Sequence, residues 1–167
     1  MKKLLLILLC LPMIGFGQTA KEYFLEAKKQ RDNKQYQLAI DSYTQCINLL
    51  KNETNNTNLA SVYHNRGHVY SELKNNEDAI ADYTRAIRIN PDYASAYYNR
   101  GREYEDLKKY EDAIDDYTRA IRIDPDYVLA YKRRGNVREL FGWCSDYKKC
   151  CDLGDEDCCE WYYKDCK

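Results

Sequence analysis

The chain has 167 residues, with 26 basic side chains against 27 acidic ones, only two histidines, and eight cysteines. No basic cluster stands out from that balance to track a phosphate backbone, so nucleic acid is excluded as an expected partner. The length suits one domain rather than several.

Met1–Gly17 reads MKKLLLILLCLPMIGFG: two lysines, an apolar run, then small residues at Gly15 and Gly17. This is the pattern of a secretory signal peptide, with cleavage expected before Gln18. The run is shorter than the roughly 20 residues a membrane span needs, so no integral span is expected after processing. Cys10 is preceded by Leu9, where a lipoprotein signal would carry a small residue. Removal of Lys2 and Lys3 leaves 150 residues with 24 basic against 27 acidic side chains. The expected address is the periplasm or cell exterior of a Gram-negative bacterium.

Beyond the leader, one pattern recurs. Tyr63–Tyr93 and Tyr97–Tyr127 are 31-residue stretches with 22 identities, 34 residues apart and without a gap. Such a period marks a stacked array whose units bury their apolar faces only against neighbours. Within one unit, Tyr97, Gly101, Tyr104 and Leu107 follow helical spacing. Ala113, Ile114, Tyr117, Ala120 and Ile121 do so on a second helix, with Lys108-Lys109-Tyr110 as the turn between. Gly101 costs about 1 kcal/mol against alanine in mid-helix, which predicts a close approach by the neighbouring helix. Pro125 stops the second helix, and Asp126 is expected to cap the next one. Tyr63, Gly67, Tyr70, Ala79, Tyr83, Ala86 and Pro91 hold the same places one unit earlier.

Weaker copies flank this pair. Upstream, Tyr23, Ala27, Ala39, Tyr43 and Cys46 occupy the corresponding positions, followed by six extra residues in the polar stretch Asn52–Asn58. Downstream, Tyr131 and Gly135 begin a fourth copy in which Arg138 replaces the inner tyrosine and four residues are missing. The units are therefore placed at about 20–53, 60–93, 94–127 and 128–153. The order aromatic, glycine, tyrosine, alanine, tyrosine, alanine and proline resembles the tetratricopeptide repeat. That resemblance implies an all-α, right-handed superhelix of stacked helix–turn–helix units forming a single domain over 18–167, with a protein or peptide as partner. The charged residues are spread along both helices, and a solvated outer face accounts for most of them.

Six cysteines fall in the last 24 residues: Cys144, Cys150, Cys151, Cys158, Cys159 and Cys166. In an exported chain these read as a disulfide staple, holding a cap over 154–167. A helical hairpin centred near residue 155 pairs residues whose numbers have a constant sum. Cys144 with Cys166 and Cys151 with Cys159 both satisfy that sum, and each helix carries its two cysteines seven apart on one face. The same construction turns Cys150 and Cys158 sideways, with Cα atoms expected beyond the roughly 7 Å bridging limit. The run KKCCDLGDEDCC also resembles Sel-like relatives of the repeat, which implies bridges between cysteines eight apart. By that resemblance Cys151–Cys159 and Cys150–Cys158 are equally supported. Zinc is the competing reading, but Cys-Cys dipeptides lack the usual ligand spacing.

There is no nucleophile–histidine–acid order, no phosphate-cradling glycine loop and no paired histidine–glutamate motif, so an enzyme is not expected and no cofactor is implied. The expected site is a concave groove lined by the first helices: His64, Asn65 and His68; Tyr98, Asn99 and Arg102; Lys132, Arg133 and Asn136. In peptide-binding tetratricopeptide proteins, the asparagine matching Asn65 and Asn99 bonds the ligand backbone, while Lys and Arg clamp a terminal carboxylate. Lys132, Arg133 and Asn136 have suitable types and places, whereas the first unit departs from the pattern with Phe24 and Leu25. Two other readings compete. One is an envelope-assembly scaffold working through its convex face or oligomeric contacts. The other is a metal- or redox-linked sensor using His64 and His68 or the vicinal cysteines.

Overall fold

The structure, a computed structural model, describes residues 18–51, 57–137 and 144–166. The leader expected over 1–17 and the substitution at Arg138 lie outside the described residues. Among the described residues all regular structure is helical. The order is α1 (Ala20–Asp32), α2 (Tyr36–Leu50), α3 (Thr57–Glu72), α4 (Asn76–Ile89), α5 (Ala94–Asp106), α6 (Tyr110–Ile123), α7 (Val128–Val137), α8 (Cys144–Asp152) and α9 (Glu156–Asp165). Each helix packs on the next in sequence, and α3 also touches α5, so the first helices of successive pairs stand side by side. None of these helices is long and apolar enough to cross a membrane.

The turn inside each pair is set by one residue in the left-handed region: Lys34, Lys74 and Lys108, with φ of 59°, 58° and 59°. Its amide and the next one bond back to the helix just ended, as Lys108 N–H does to Glu105 and Lys109 N–H to Tyr104. The connection between α8 and α9 repeats this pattern, with Gly154 N–H on Cys151, Asp155 N–H on Cys150 and Gly154 at φ 94°. The cap thus borrows the within-pair turn. Between pairs, Pro91 and Pro125 forbid continuation. There the expected capping by Asp126 does not occur: the Asp124 carboxylate accepts from Asp126 N–H at 3.1 Å, and Asn90 does the same for Asp92. The residue one step before the proline lies closer to the turn's free amides, so it caps them.

The glycines mark close approach, as their helical positions suggest. A Cβ on Gly101 would lie 2.8 Å from the Tyr117 ring, and one on Gly67 2.9 Å from that of Tyr83. Gly135 faces Tyr147 in the same way. Tyr43, Tyr83 and Tyr117 are fully buried, wedged among Ala39, Ala79, Ala86, Ala113 and Ala120.

One set of charges, recurring in three pairs, lies outside the solvated face that accounts for most of them. Arg66 donates from Nε and Nη2 to both oxygens of Asp82, at 2.7 and 2.9 Å. Arg100 does so to Asp116 at 2.8 Å twice, and Arg134 to Asp146 at 2.9 and 2.6 Å. The remaining Nη1 of each reaches back to a threonine of the preceding pair: Thr44, Thr84 and Thr118. Tyr63 and Tyr70 flank the Arg66 guanidinium, and Tyr97 and Tyr104 that of Arg100. All three aspartates are buried. Burial pushes the Asp116 carboxyl above its ordinary range, against the pull of the bonds from Arg100.

In the cap, Cys144 is bonded to Cys166, Cys151 to Cys159 and Cys150 to Cys158, with Cα separations of 5.6, 4.5 and 5.8 Å. The third bridge corrects the expectation that Cys150 and Cys158 lie too far apart. Vicinal residues on a helix are about 100° apart, and the line of closest approach between α8 and α9 falls between them. Both neighbours therefore reach across, Cys150 and Cys158 on the buried side.

Two substitutions separate these contributions, both read by urea unfolding. Asp116→Ala leaves Arg100 buried without its counter-charge and is expected to cost about 3–5 kcal/mol. Gly101→Val forces a side chain into the Tyr117 ring and is expected to cost about 1–3 kcal/mol. An Asp116→Ala loss below that of Gly101→Val would refute the ranking.

Candidate functional site

Successive pairs place Phe24, His64, Tyr98 and Lys132 at one position and Leu25, Asn65, Asn99 and Arg133 at the next, so the expected groove residues do lie along the row of first helices. Their environments differ from the expectation, however, because most are already bonded to one another.

The His64 ring packs on Tyr93, with centroids 4.8 Å apart. Its Nε2 lies 2.9 Å from the Asn99 amide nitrogen, which donates to it. A hydrogen bond to the Ser95 backbone holds the ring from its other side. Burial, reinforced by His68 and Arg31, lowers the imidazole to about 4, so His64 is neutral at neutral pH. His68 is also shifted down by burial, although Glu72 pulls it up from 4.0 Å away. Asn65 is engaged at both ends: its amide nitrogen donates to Ser61 O at 2.7 Å, and its oxygen accepts from Arg31 at 3.2 Å.

Tyr98 is not a groove wall. It is 8% exposed and lies between Tyr117 and Tyr127, with centroids 5.8 and 5.1 Å away. Lys132 does not stand open for a carboxylate, because Asp157 and Asp155 of the cap already hold it at 2.7 and 3.3 Å. The cap turns back over the end of the row, which local periodicity does not foretell. Arg133 pairs with Glu105 at 3.3 Å, and the same Glu105 accepts from the Tyr117 hydroxyl at 2.6 Å. Asn136 accepts from the Tyr147 hydroxyl. Arg102, half-buried on the row, makes no hydrogen bond or ion pair among the described residues, and of the Asn99 amide only the nitrogen is engaged there.

Several members of this network are absent from the expected set. Arg31, Glu105 and the buried Glu103, which accepts from Ser71 at 2.7 Å, all tie adjacent first helices together. Tyr93 and Tyr127 end the matching runs NPDY and DPDY, and that shared place was the signal for a common role at the junctions. Cys150, Asp155 and Cys158 bring two sulfurs and a carboxylate together, but the sulfurs are joined to each other and Asp155 is committed to Lys132 and the Cys158 amide.

Residues 94–127 match the family Tetratricopeptide repeat, and residues 67–106 the family TPR repeat. Residues 67–127 are thus tetratricopeptide repeats. The chain is 38% identical over 74 residues to small glutamine-rich tetratricopeptide repeat-containing protein 2 of Saccharomyces cerevisiae, a stretch covering 44% of this chain and 20% of that protein. The chain thus spans a fifth or less of the curated relatives it matches. Among solved structures, MamA superposes with TM-score 0.73 at 25% identity, covering 83% of this chain and 80% of that one. The first TPR of Spaghetti (RPAP3), bound to the HSP90 peptide SRMEEVD, does so with TM-score 0.66 at 26% identity, covering 77% and 97%.

The lowered His64 gives the repeats a defined acid response. The unfolded chain takes up a proton near the ordinary histidine value of about 6.5, but folded His64 does not until about 4. Stability present above that upper value is expected to fall as pH drops between the two, by on the order of 2 kcal/mol. His64→Phe should flatten this slope in urea titrations run at successive pH values, and an unchanged slope would count against the assignment.

Proposed function

We propose that this chain is a protein-interaction module binding an extended peptide segment along the row of first helices, and that it does so as an exported protein with no catalytic role. One observation carries the reading. Arg102 and the Asn99 amide oxygen keep open hydrogen-bonding capacity in the middle of a row where Asn65, Lys132, Arg133 and Asn136 are already bonded within the chain. A ligand N–H can bond to Asn99, and an acidic ligand group can meet Arg102. The RPAP3 domain, similar in fold, holds the peptide SRMEEVD, which has three acidic residues, and this supports such a class of ligand. The carboxylate contact belongs at Arg102 rather than at Lys132, which the cap's aspartates occupy.

Export is supported by the leader-like Met1–Gly17 and by three disulfides in a chain of this size. The mature protein is then expected to begin at Gln18 and to reside in the periplasm or outside the cell. Mass analysis of the protein from its native host checks this, and intact Met1 or a lipid on Cys10 would refute it.

The binding reading is tested by partner capture from the native envelope fraction with the parent protein and two variants. Asn99→Ala is expected to lose about 1–3 kcal/mol of affinity through a buried ligand bond. Arg102→Ala should weaken capture and reduce its sensitivity to salt. If both variants capture partners as the parent does, while charge reversal on the opposite face abolishes capture, the scaffold reading replaces this one.

A further inference from the structure

Two of the junctions between pairs are filled by a tyrosine. Tyr93 lies on the His64 ring, and its hydroxyl is hydrogen-bonded to Ser61. Tyr127 lies on Tyr98 and is hydrogen-bonded to Ser95. At the first junction the sequence NTNLAS stands where the later ones have NPDYAS and DPDYVL, so Leu59 takes the tyrosine's place. Thr57 stands where Pro91 and Pro125 stop the backbone, and α3 accordingly begins at Thr57. Leu59 is thereby carried on a helix and packs into the first pair's core.

A cleft of about 590 Å³ lies at this junction, with Lys21, Phe24, Cys46, Leu50, Ser61 and Val62 in its walls. Lys21 and Phe24 hold the places of Ser61 and His64, the two residues that receive Tyr93 one unit later. We propose that this cleft is a docking socket for a tyrosine side chain of the partner. The proposal rests on the reading that an extended partner segment lies along the first helices, and it names a residue that segment carries. The ring would lie against Phe24, an arrangement favoured by the aromatic quadrupole, with Cys46, Leu50 and Val62 as apolar walls. The phenol oxygen would accept from the Lys21 ammonium at the rim, as the hydroxyls of Tyr93 and Tyr127 meet a serine at that place. The chain's own linker offers no such ring, since residues 52–56 are Asn, Glu, Thr, Asn and Asn.

The probe is p-cresol, the tyrosine side-chain analogue, titrated into the isotope-labelled full chain and followed by amide chemical shifts. Ala20, Lys21, Ser61 and Val62 are expected to shift together, with a dissociation constant on the order of millimolar, while isobutanol gives a weaker response. Grafting the later junctions' sequence through Thr57→Pro, Asn58→Asp and Leu59→Tyr should fill the socket from within and abolish these shifts. Phe24→Ala should weaken them in a chain whose helical circular dichroism is unchanged. No response at these four amides, or an equal one in the grafted chain, overturns the proposal. A response seen only in Phe16→Ala would assign the socket to the chain's own leader and overturn the partner assignment. The outcome is independent of Asn99 and Arg102: cresol binding with undiminished capture by those variants would leave the socket standing and the groove reading fallen.

Discussion

The last three helix pairs of this stack are each arranged around a buried arginine–aspartate pair. A desolvated guanidinium is tolerable only when its charge and its donors are all met, and Arg66, Arg100 and Arg134 achieve this in the same way. Two bonds go to an aspartate of the same helix pair, and a third to a threonine of the pair before. Tyrosine rings on either side of Arg66 and Arg100, and Tyr131 beside Arg134, exclude water and favour the cation. The glycine that follows each arginine lets the second helix come close enough for the aspartate to arrive. Much of the identity between the two central units therefore serves one contact, and the strength of the repeat signal is a consequence of its geometric demands.

The same habit of internal satisfaction shapes the groove. Where Asn65, His64 and Arg133 are already bonded, each new bond to a polar ligand must replace an existing one. His64 is part of this rigidity: held neutral by burial, it acts as an acceptor fixed by Asn99 rather than as a charge.

The sequence made the helix pairs legible because period, proline and glycine act locally and recur. The within-pair turn at Lys108 and the approach at Gly101 could be placed from spacing alone. The burial of Asp82, Asp116 and Asp146 could not, because a charge viewed one helix at a time has no visible partner. It became legible only from the joint recurrence of Arg66, Asp82 and Thr84 at Arg100, Asp116 and Thr118. Tyr98 was misplaced because the groove and the junction are separated by less than one helical turn. Lys132 lost its expected role to Asp155 and Asp157, and such long-range pairing depends on how the cap folds back. The Cys150–Cys158 bridge was misjudged because the construction used a single line of contact, whereas the helices meet along a strip wide enough for two vicinal residues.

The third bond of each arginine always points toward the amino-terminal neighbour, and the residue it finds there is always threonine. Arg134 meets at Thr118 what Arg100 meets at Thr84 and Arg66 at Thr44. Each unit thus presents the same socket downstream that it requires upstream. A chain with this property can gain or lose 34 residues by unequal recombination without creating a mismatched seam, provided the amino-terminal pair and the disulfide-bonded end are kept.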